Sequence, residues 1–150
     1  MARRGAALLV LIALPAACAH TPSATATIAS NPPPIPPGPV ATWYHIQFTS
    51  NSHALDARGQ STVAEVTDNL VQHPEQIATI IGKTDTVGSP DYNMHLSHLR
   101  ADTVRDALVY SSNVAADRVE TRWTGETRQR IATGDNTAEA PNRVVDIAIH

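Results

Sequence analysis

Seven of the eleven prolines fall between Cys18 and Ala41, in a stretch with almost no large apolar side chains. Proline fixes φ and offers no backbone N–H, so a run such as Pro32 to Pro39 enters neither a helix interior nor a central strand. With so little to bury, the segment also cannot offset the entropy of ordering itself. A compact fold is thereby confined to residues 42–150, about a hundred residues, which suffices for one domain. Residues 18–41 read as a spacer: polyproline II over Pro32 to Pro39, at about 3 Å per residue, preceded by a Ser/Thr/Ala coil. Proline-rich segments also serve as ligands for aromatic grooves, and the composition leaves that alternative open.

Ahead of the spacer, Arg3 and Arg4 precede an apolar run from Ala6 to Leu14 that is too short to span a bilayer by itself. Residues 1–17 therefore read as an export leader. Cys18 is the only cysteine, and it directly follows Ala16 and Ala17, where a lipobox would place the acylated thiol. A lipobox commonly has leucine three positions before its cysteine, whereas Pro15 stands there in this chain and Leu14 one step earlier. Cleavage after Ala17-Cys18-Ala19, leaving a soluble periplasmic protein, is the other reading. On the acylated reading, Ala19 is not the aspartate that would hold the product in the inner membrane, so the expected location is the outer membrane with the domain in the periplasm. A single cysteine excludes an internal disulfide, and the fold must rest on its core. Without Arg3 and Arg4, nine Lys and Arg stand against fourteen Asp and Glu, a net of about −5 with no basic cluster. Nucleic acid and anionic lipid surfaces are not the partners this charge favours.

Two periodicities divide residues 42–150. Tyr44, Ile46 and Phe48 alternate with polar or larger neighbours over Trp43–Thr49, the pattern of a half-buried strand. Asn51 to Leu55 reads as a loop. Val63, Val66 and Leu70 predict a helix over Gln60–His73 that Pro74 ends. Gln76–Gly82 predicts a second, more apolar strand. Ser89 and Pro90 offer an N-cap and a first-turn proline to a helix running to about Ser111. Arg118–Thr124 alternates as a third strand, a polar loop with Gly125, Gly134 and Pro141 follows, and Arg143–Ile149 closes the chain as a fourth. The expected fold is α+β: a β-α-β-α-β-β sandwich in which one mixed four-stranded sheet carries two helices packed on one face.

Arg100 interrupts this pattern. Steps of about 100° place it inside the stripe formed by Leu96, Leu99, Val104, Ala107 and Leu108. A guanidinium cannot shed its charge, so burying it costs several kcal/mol unless acceptors meet it. Helical side chains lean toward the N-terminus, which aims Arg100 at the turn after the second strand, where Asp85 lies. Asn93 stands one heptad earlier on the same side, and the helix start offers unpaired N–H groups. An acid, a base, an amide and N–H donors thus converge, and the grouping reads either as a functional site or as a buried Asp85–Arg100 bridge that only fixes the turn.

Gly82, Thr84, Asp85, Gly88, Tyr92, Asn93, Leu96, Ser97, Arg100, Ala101 and Val104 resemble, in one register, the signature G-x-T-D-x-x-G-x-x-x-Y-N-x-x-L-S-x-x-R-A-x-x-V of OmpA-like peptidoglycan-binding domains. The resemblance runs from about Tyr44, through Phe48 to Asn51 and Gly125-Glu126, to Asn142-Arg143, and the leader is similar to that of Pal-like lipoproteins. It implies an outer-membrane lipoprotein that binds the diaminopimelate stem peptide of peptidoglycan non-covalently and tethers membrane to wall. By the same resemblance, Asp85 takes the diaminopimelate ammonium and Arg100 its carboxylate, in a two-pronged fit that lysine could not reproduce. Asn51, Thr84 and Asn93 match positions that line the pocket, and Arg143 matches the first arginine of the closing N-R-R-V motif. Lys83 and Val144 depart from the family's histidine and second arginine, so fewer rim contacts and a lower affinity are expected. The family uses no cofactor and binds without turnover.

Other chemistries are weaker. Ser97, His95, His98 and Asp85 are raw material for a hydrolase, but Ser97 in mid-helix lacks the strained turn that exposes a catalytic serine. His95 and His98 at i, i+3 have no further metal ligand at readable spacing, so no metal site is expected. A module that binds envelope or secretion-assembly proteins without touching the wall remains the alternative to the anchor.

Overall fold

The computed structural model describes residues 41–150, apart from Asn113 and the side chain of Ser111. The leader, Cys18 and the linker as far as Val40 lie outside the described residues. The elements are β1 (Thr42–Gln47), α1 (Ala57–Gln72), β2 (Ala78–Gly82), α2 (Pro90–Asp106), β3 (Val119–Trp123) and β4 (Val144–Ile149). They follow the expected β-α-β-α-β-β order.

Both helices begin at side-chain caps. The Asp56 carboxylate accepts from the Gly59 N–H at 2.7 Å, which starts α1 three residues before the expected Gln60. The first turn of α1 carries no apolar stripe, so only the cap marks it. Ser89 accepts from the Tyr92 N–H at 3.2 Å with Pro90 in the first turn of α2, as expected. Regular helix ends at Asp106, and Ala107–Ser111 continues as one wider π turn.

The sheet order is β1-β4-β2-β3, with β4 antiparallel to both neighbours and β2 parallel to β3. All six residues of β4 are buried, as befits a central strand. On the helix side, Ile46, Ile80, Val145 and Ile147 meet Val63, Val66 and Leu70 of α1 and Ala101, Val104 and Leu108 of α2. Each large side chain buried there contributes about 1.5–3 kcal/mol.

Helix α2 lies unusually close to β2. A Cβ placed on Gly82 would stand 2.0 Å from the Ser97 carbonyl oxygen, a backbone atom that cannot swing aside. Glycine is needed there for approach, not for its dihedral freedom.

Strand alternation sends Lys83, Asp146 and His45 to the other face of the sheet. Asp146 is buried and meets the Lys83 ammonium at 2.8 Å, the Arg130 guanidinium at 2.6 Å and His45 Nδ1 at 2.8 Å. Burial alone would raise this carboxyl, but hydrogen bonds and charge from Lys83 and Arg130 outweigh it and hold it below the ordinary 3.8.

Gly82→Ala should destabilise the domain by about 3 kcal/mol in a urea titration, because helix and strand must separate. An unchanged midpoint would contradict the close approach. For Asp146 the folded state favours the ionised form more than the unfolded chain does. Its stabilisation is therefore present above about pH 4 and is lost as pH falls through the depressed value. Asp146→Asn should melt lower at neutral pH and lose less further stability on acidification than the parent. Superimposable acid limbs would show that the cluster contributes nothing.

Candidate functional site

Arg100 has no exposed surface, and its ring of acceptors is backbone. Nε donates to the Ser52 carbonyl at 2.8 Å, Nη1 to the Lys83 carbonyl at 2.9 Å and Nη2 to the Thr49 carbonyl at 3.1 Å. One side chain of α2 thus ties the β1–α1 turn to the end of β2. The Phe48 ring lies 5.3 Å from the guanidinium carbon and covers it. Burial lowers the Arg100 pKa from the usual guanidinium range to about 10; the Asp85 charge opposes this shift and the Arg143 charge adds to it. A guanidinium has five N–H donors, so after these three bonds two Nη hydrogens remain.

The Asp85–Arg100 bridge, one of the two readings of the sequence, does not form. Asp85 Oδ2 instead accepts from Arg143 Nη1 at 2.9 Å and from the Glu139 N–H at 3.2 Å, while Asp85 acts on Arg100 through space. Carbonyls of two converging turns reach Arg100 before any carboxylate needs to, which is why the helical pattern alone named the wrong acceptor. Among the described residues Asp85 Oδ1 accepts no hydrogen bond. Arg143 is itself held by Nε donating to the Phe48 carbonyl at 3.3 Å, next to the backbone bond from the Phe48 N–H to the Arg143 carbonyl at 2.9 Å. Thr84, next to Asp85 in the chain, is buried, and among the described residues its hydroxyl has no protein partner.

Asn93, at the start of α2, is buried, and its Nδ2 donates to Glu126 Oε2 at 2.6 Å. Asn51 sits at the exposed tip of the β1–α1 turn with φ +54°, the left-handed region that asparagine tolerates, and its Oδ1 accepts from the Tyr92 hydroxyl. The structure therefore gathers Asn51, Thr84, Asp85, Asn93, Arg100 and Arg143 at one end of the sheet, from four segments. It adds Glu126 and Tyr92 as partners of Asn93 and Asn51. Both stood in the matched motifs, but residue type alone assigns them no contact.

The two departures from the motif lie elsewhere than expected. Lys83 lends its carbonyl to Arg100 but turns its ammonium to Asp146, and Val144, two residues before Asp146 in β4, is buried on that same outer face. They alter the far side of the sheet, not the rim of the site. Ser97 is fully buried, donates to the Met94 carbonyl at 2.7 Å and accepts from the Gly125 N–H at 2.9 Å, so its hydroxyl joins α2 to the loop after β3. His98 pairs with Asp102 at 3.1 Å and stacks on Trp123. Among the described residues no group of three or more His, Cys, Asp or Glu is placed to hold a metal ion.

Comparison with known proteins places this arrangement. Probable lipoprotein YiaD of Escherichia coli is 33% identical over 105 residues, which cover 70% of this chain and 48% of that protein. Outer membrane porin F of Pseudomonas aeruginosa is 30% identical over 132 residues, 88% of this chain and 37% of that one. The chain thus spans less than half the length of these relatives. The crystal structure of the peptidoglycan-associated lipoprotein from Burkholderia pseudomallei matches with a TM-score of 0.65 at 26% identity, over 71% of this chain and 89% of that one. The OmpA family model matches residues 47–143, a span that holds all six gathered side chains, and the chain belongs to the OmpA family.

Proposed function

We propose that the chain is an outer-membrane lipoprotein whose 42–150 domain binds the diaminopimelate stem peptide of peptidoglycan non-covalently, holding membrane and wall together. The observation that carries this reading is the pairing of two incompletely used charges in one buried setting. Asp85 keeps one carboxylate oxygen without a donor, and Arg100 keeps two N–H groups without an acceptor. A ligand ending in an ammonium and a carboxylate on one carbon supplies what each lacks. Arg100 has no exposed surface, so the ligand's carboxylate reaches it only as neighbouring groups move, and the Asn51–Tyr92 contact, on the same turn whose carbonyls hold Arg100, is one that can part. Asn93 and the Thr84 hydroxyl then fix orientation. The similarity to the Burkholderia peptidoglycan-associated lipoprotein supports the reading.

The test is calorimetric titration of the full chain with matched stem peptides. Lysine, which replaces diaminopimelate in many Gram-positive walls, keeps the ammonium but lacks the neighbouring carboxylate. Leaving Arg100 without that acceptor costs roughly 1–3 kcal/mol, about tenfold to over a hundredfold in affinity. Asp85→Ala should lose binding to isolated sacculi and also destabilise the fold by about 2–3 kcal/mol, because Arg143 and the Glu139 N–H lose their acceptor. Equal affinity for the two peptides would remove Arg100 from recognition. No sedimentation with sacculi would leave a partner-binding module, and release of soluble fragments would indicate an enzyme.

The membrane half of the proposal rests on the leader and on Cys18. No helix among the described residues is long and apolar enough to cross a bilayer. Acyl chains on Cys18, at about 0.8 kcal/mol per buried methylene, would hold the protein in its membrane. Cys18→Ser should abolish lipid labelling and move the protein to the soluble fraction; fractionation with the membrane regardless would discard the anchor.

A further inference from the structure

Beside the candidate site lies an aromatic surface to which the reading above gives no role. Trp123 ends the edge strand β3, opposite Gly82 in register, and its indole is 40% exposed. Alternation directs it to the helix side of the sheet, where it stacks on His98 of α2 with ring centroids 3.9 Å apart and planes 23° from parallel. The imidazole is steadied in turn by Asp102, 3.1 Å from Nε2. An indole with one face covered can reach that exposure only through its other face and rim. Met94 stands one turn before His98 on the same side of α2 and is also 40% exposed.

The turn after β3 links this surface to the site. Two residues after Trp123, Gly125 packs against the Met94 backbone, a Cβ there falling 3.2 Å from it, and the next residue, Glu126, holds Asn93. From Asn93 to His98 the helix rises about 7.5 Å. One indole and one thioether are far too little for a stable protein interface, which needs about 800 Å² from each partner. The size of the patch is that of one ring.

We propose that Trp123, backed by His98, is a stacking platform for a pyranose ring of the glycan strand that carries the stem peptide. A sugar ring presents a face of C–H groups whose partial positive charge suits the negative face of an indole. In the wall polymer the muramyl sugar precedes diaminopimelate by two amino acids, at least about 7 Å of extended chain. A link of that order can bridge the roughly 7.5 Å of helix from Asn93 to His98, which backs Trp123. The inference rests on the stem-peptide reading and adds to it a second subsite of different chemistry, so that the domain reads sugar and peptide together.

The experiment compares two probes on the full chain by calorimetry: the free tetrapeptide stem containing diaminopimelate, and the same peptide on its N-acetylglucosaminyl-N-acetylmuramyl disaccharide. The parent should bind the disaccharide-peptide about three- to tenfold tighter than the free peptide. Trp123→Ala should abolish that advantage while leaving free-peptide affinity unchanged, and Trp123→Phe, which keeps an aromatic face, should restore most of it. In a Trp43→Phe background Trp123 is the sole tryptophan, and its emission should shift with the disaccharide-peptide but not with the free peptide. Equal affinity of the parent for the two probes, or an equal loss of both in Trp123→Ala, would overturn the platform while leaving the stem-peptide site standing. Failure of the parent to bind either probe would overturn both.

Discussion

A guanidinium with no exposed surface has to find acceptors wherever the fold supplies them, and Arg100 finds three in backbone carbonyls. The consequences reach well beyond α2. Thr49 and Ser52 belong to the β1–α1 turn and Lys83 to the end of β2, so these loops are positioned by one side chain projecting from between them. Arg118 does similar work at the opposite end, where Nε and Nη2 donate to carbonyls of Leu70, His73 and Gln76 at 2.7–2.9 Å. The sheet and its apolar core join the helices, and arginines tie down the connections. A lysine ammonium, a single point with a hydrated charge, could not span three carbonyls arranged as a fan.

The close packing of β2 and α2 is the second condition. Gly82 lets the Ser97 carbonyl approach, and Ser97 then bonds to Gly125. The same contact brings the loop after β3 against the start of α2, which is how Glu126 comes to hold Asn93. Small residues in the motif therefore act as spacers that bring the polar ones together, and the site's geometry depends on side chains that never face a ligand.

Much of the fold was legible in the sequence. Period-two alternation in Tyr44, Ile46 and Phe48 and helical spacing in Val63, Val66 and Leu70 state which face is buried, and β1 and α1 obey them. Arg100 was legible as an anomaly because only a helical period places it among leucines. Its acceptors were not legible, because carbonyls are present at every residue and leave no mark in a side-chain pattern. Asp85 and Arg143 meet across 58 positions and Asn93 and Glu126 across 33, separations at which no local spacing rule applies. Lys83 shows the limit of motif comparison. Its identity suggested a change at the rim, but strand alternation carries its ammonium through the sheet to Asp146.

The division of partners has a consequence for binding. Had Asp85 and Arg100 formed a closed pair, a ligand with both charges would have to break that pair before making its own, and the two terms would largely cancel. Because Arg100 is satisfied by carbonyls and Asp85 by Arg143 and a backbone N–H, each keeps capacity on the side away from its protein partner. The proposed ligand then adds interactions without first breaking an Asp85–Arg100 ion pair, although the cover over Arg100 has to move. The buried Thr84 hydroxyl, without a partner among the described residues, is a further group that the ligand completes. On this reading, affinity comes from completing polar groups that the surrounding loops already hold in place. The contacts that hold the loops are then as much part of recognition as the groups that touch the wall.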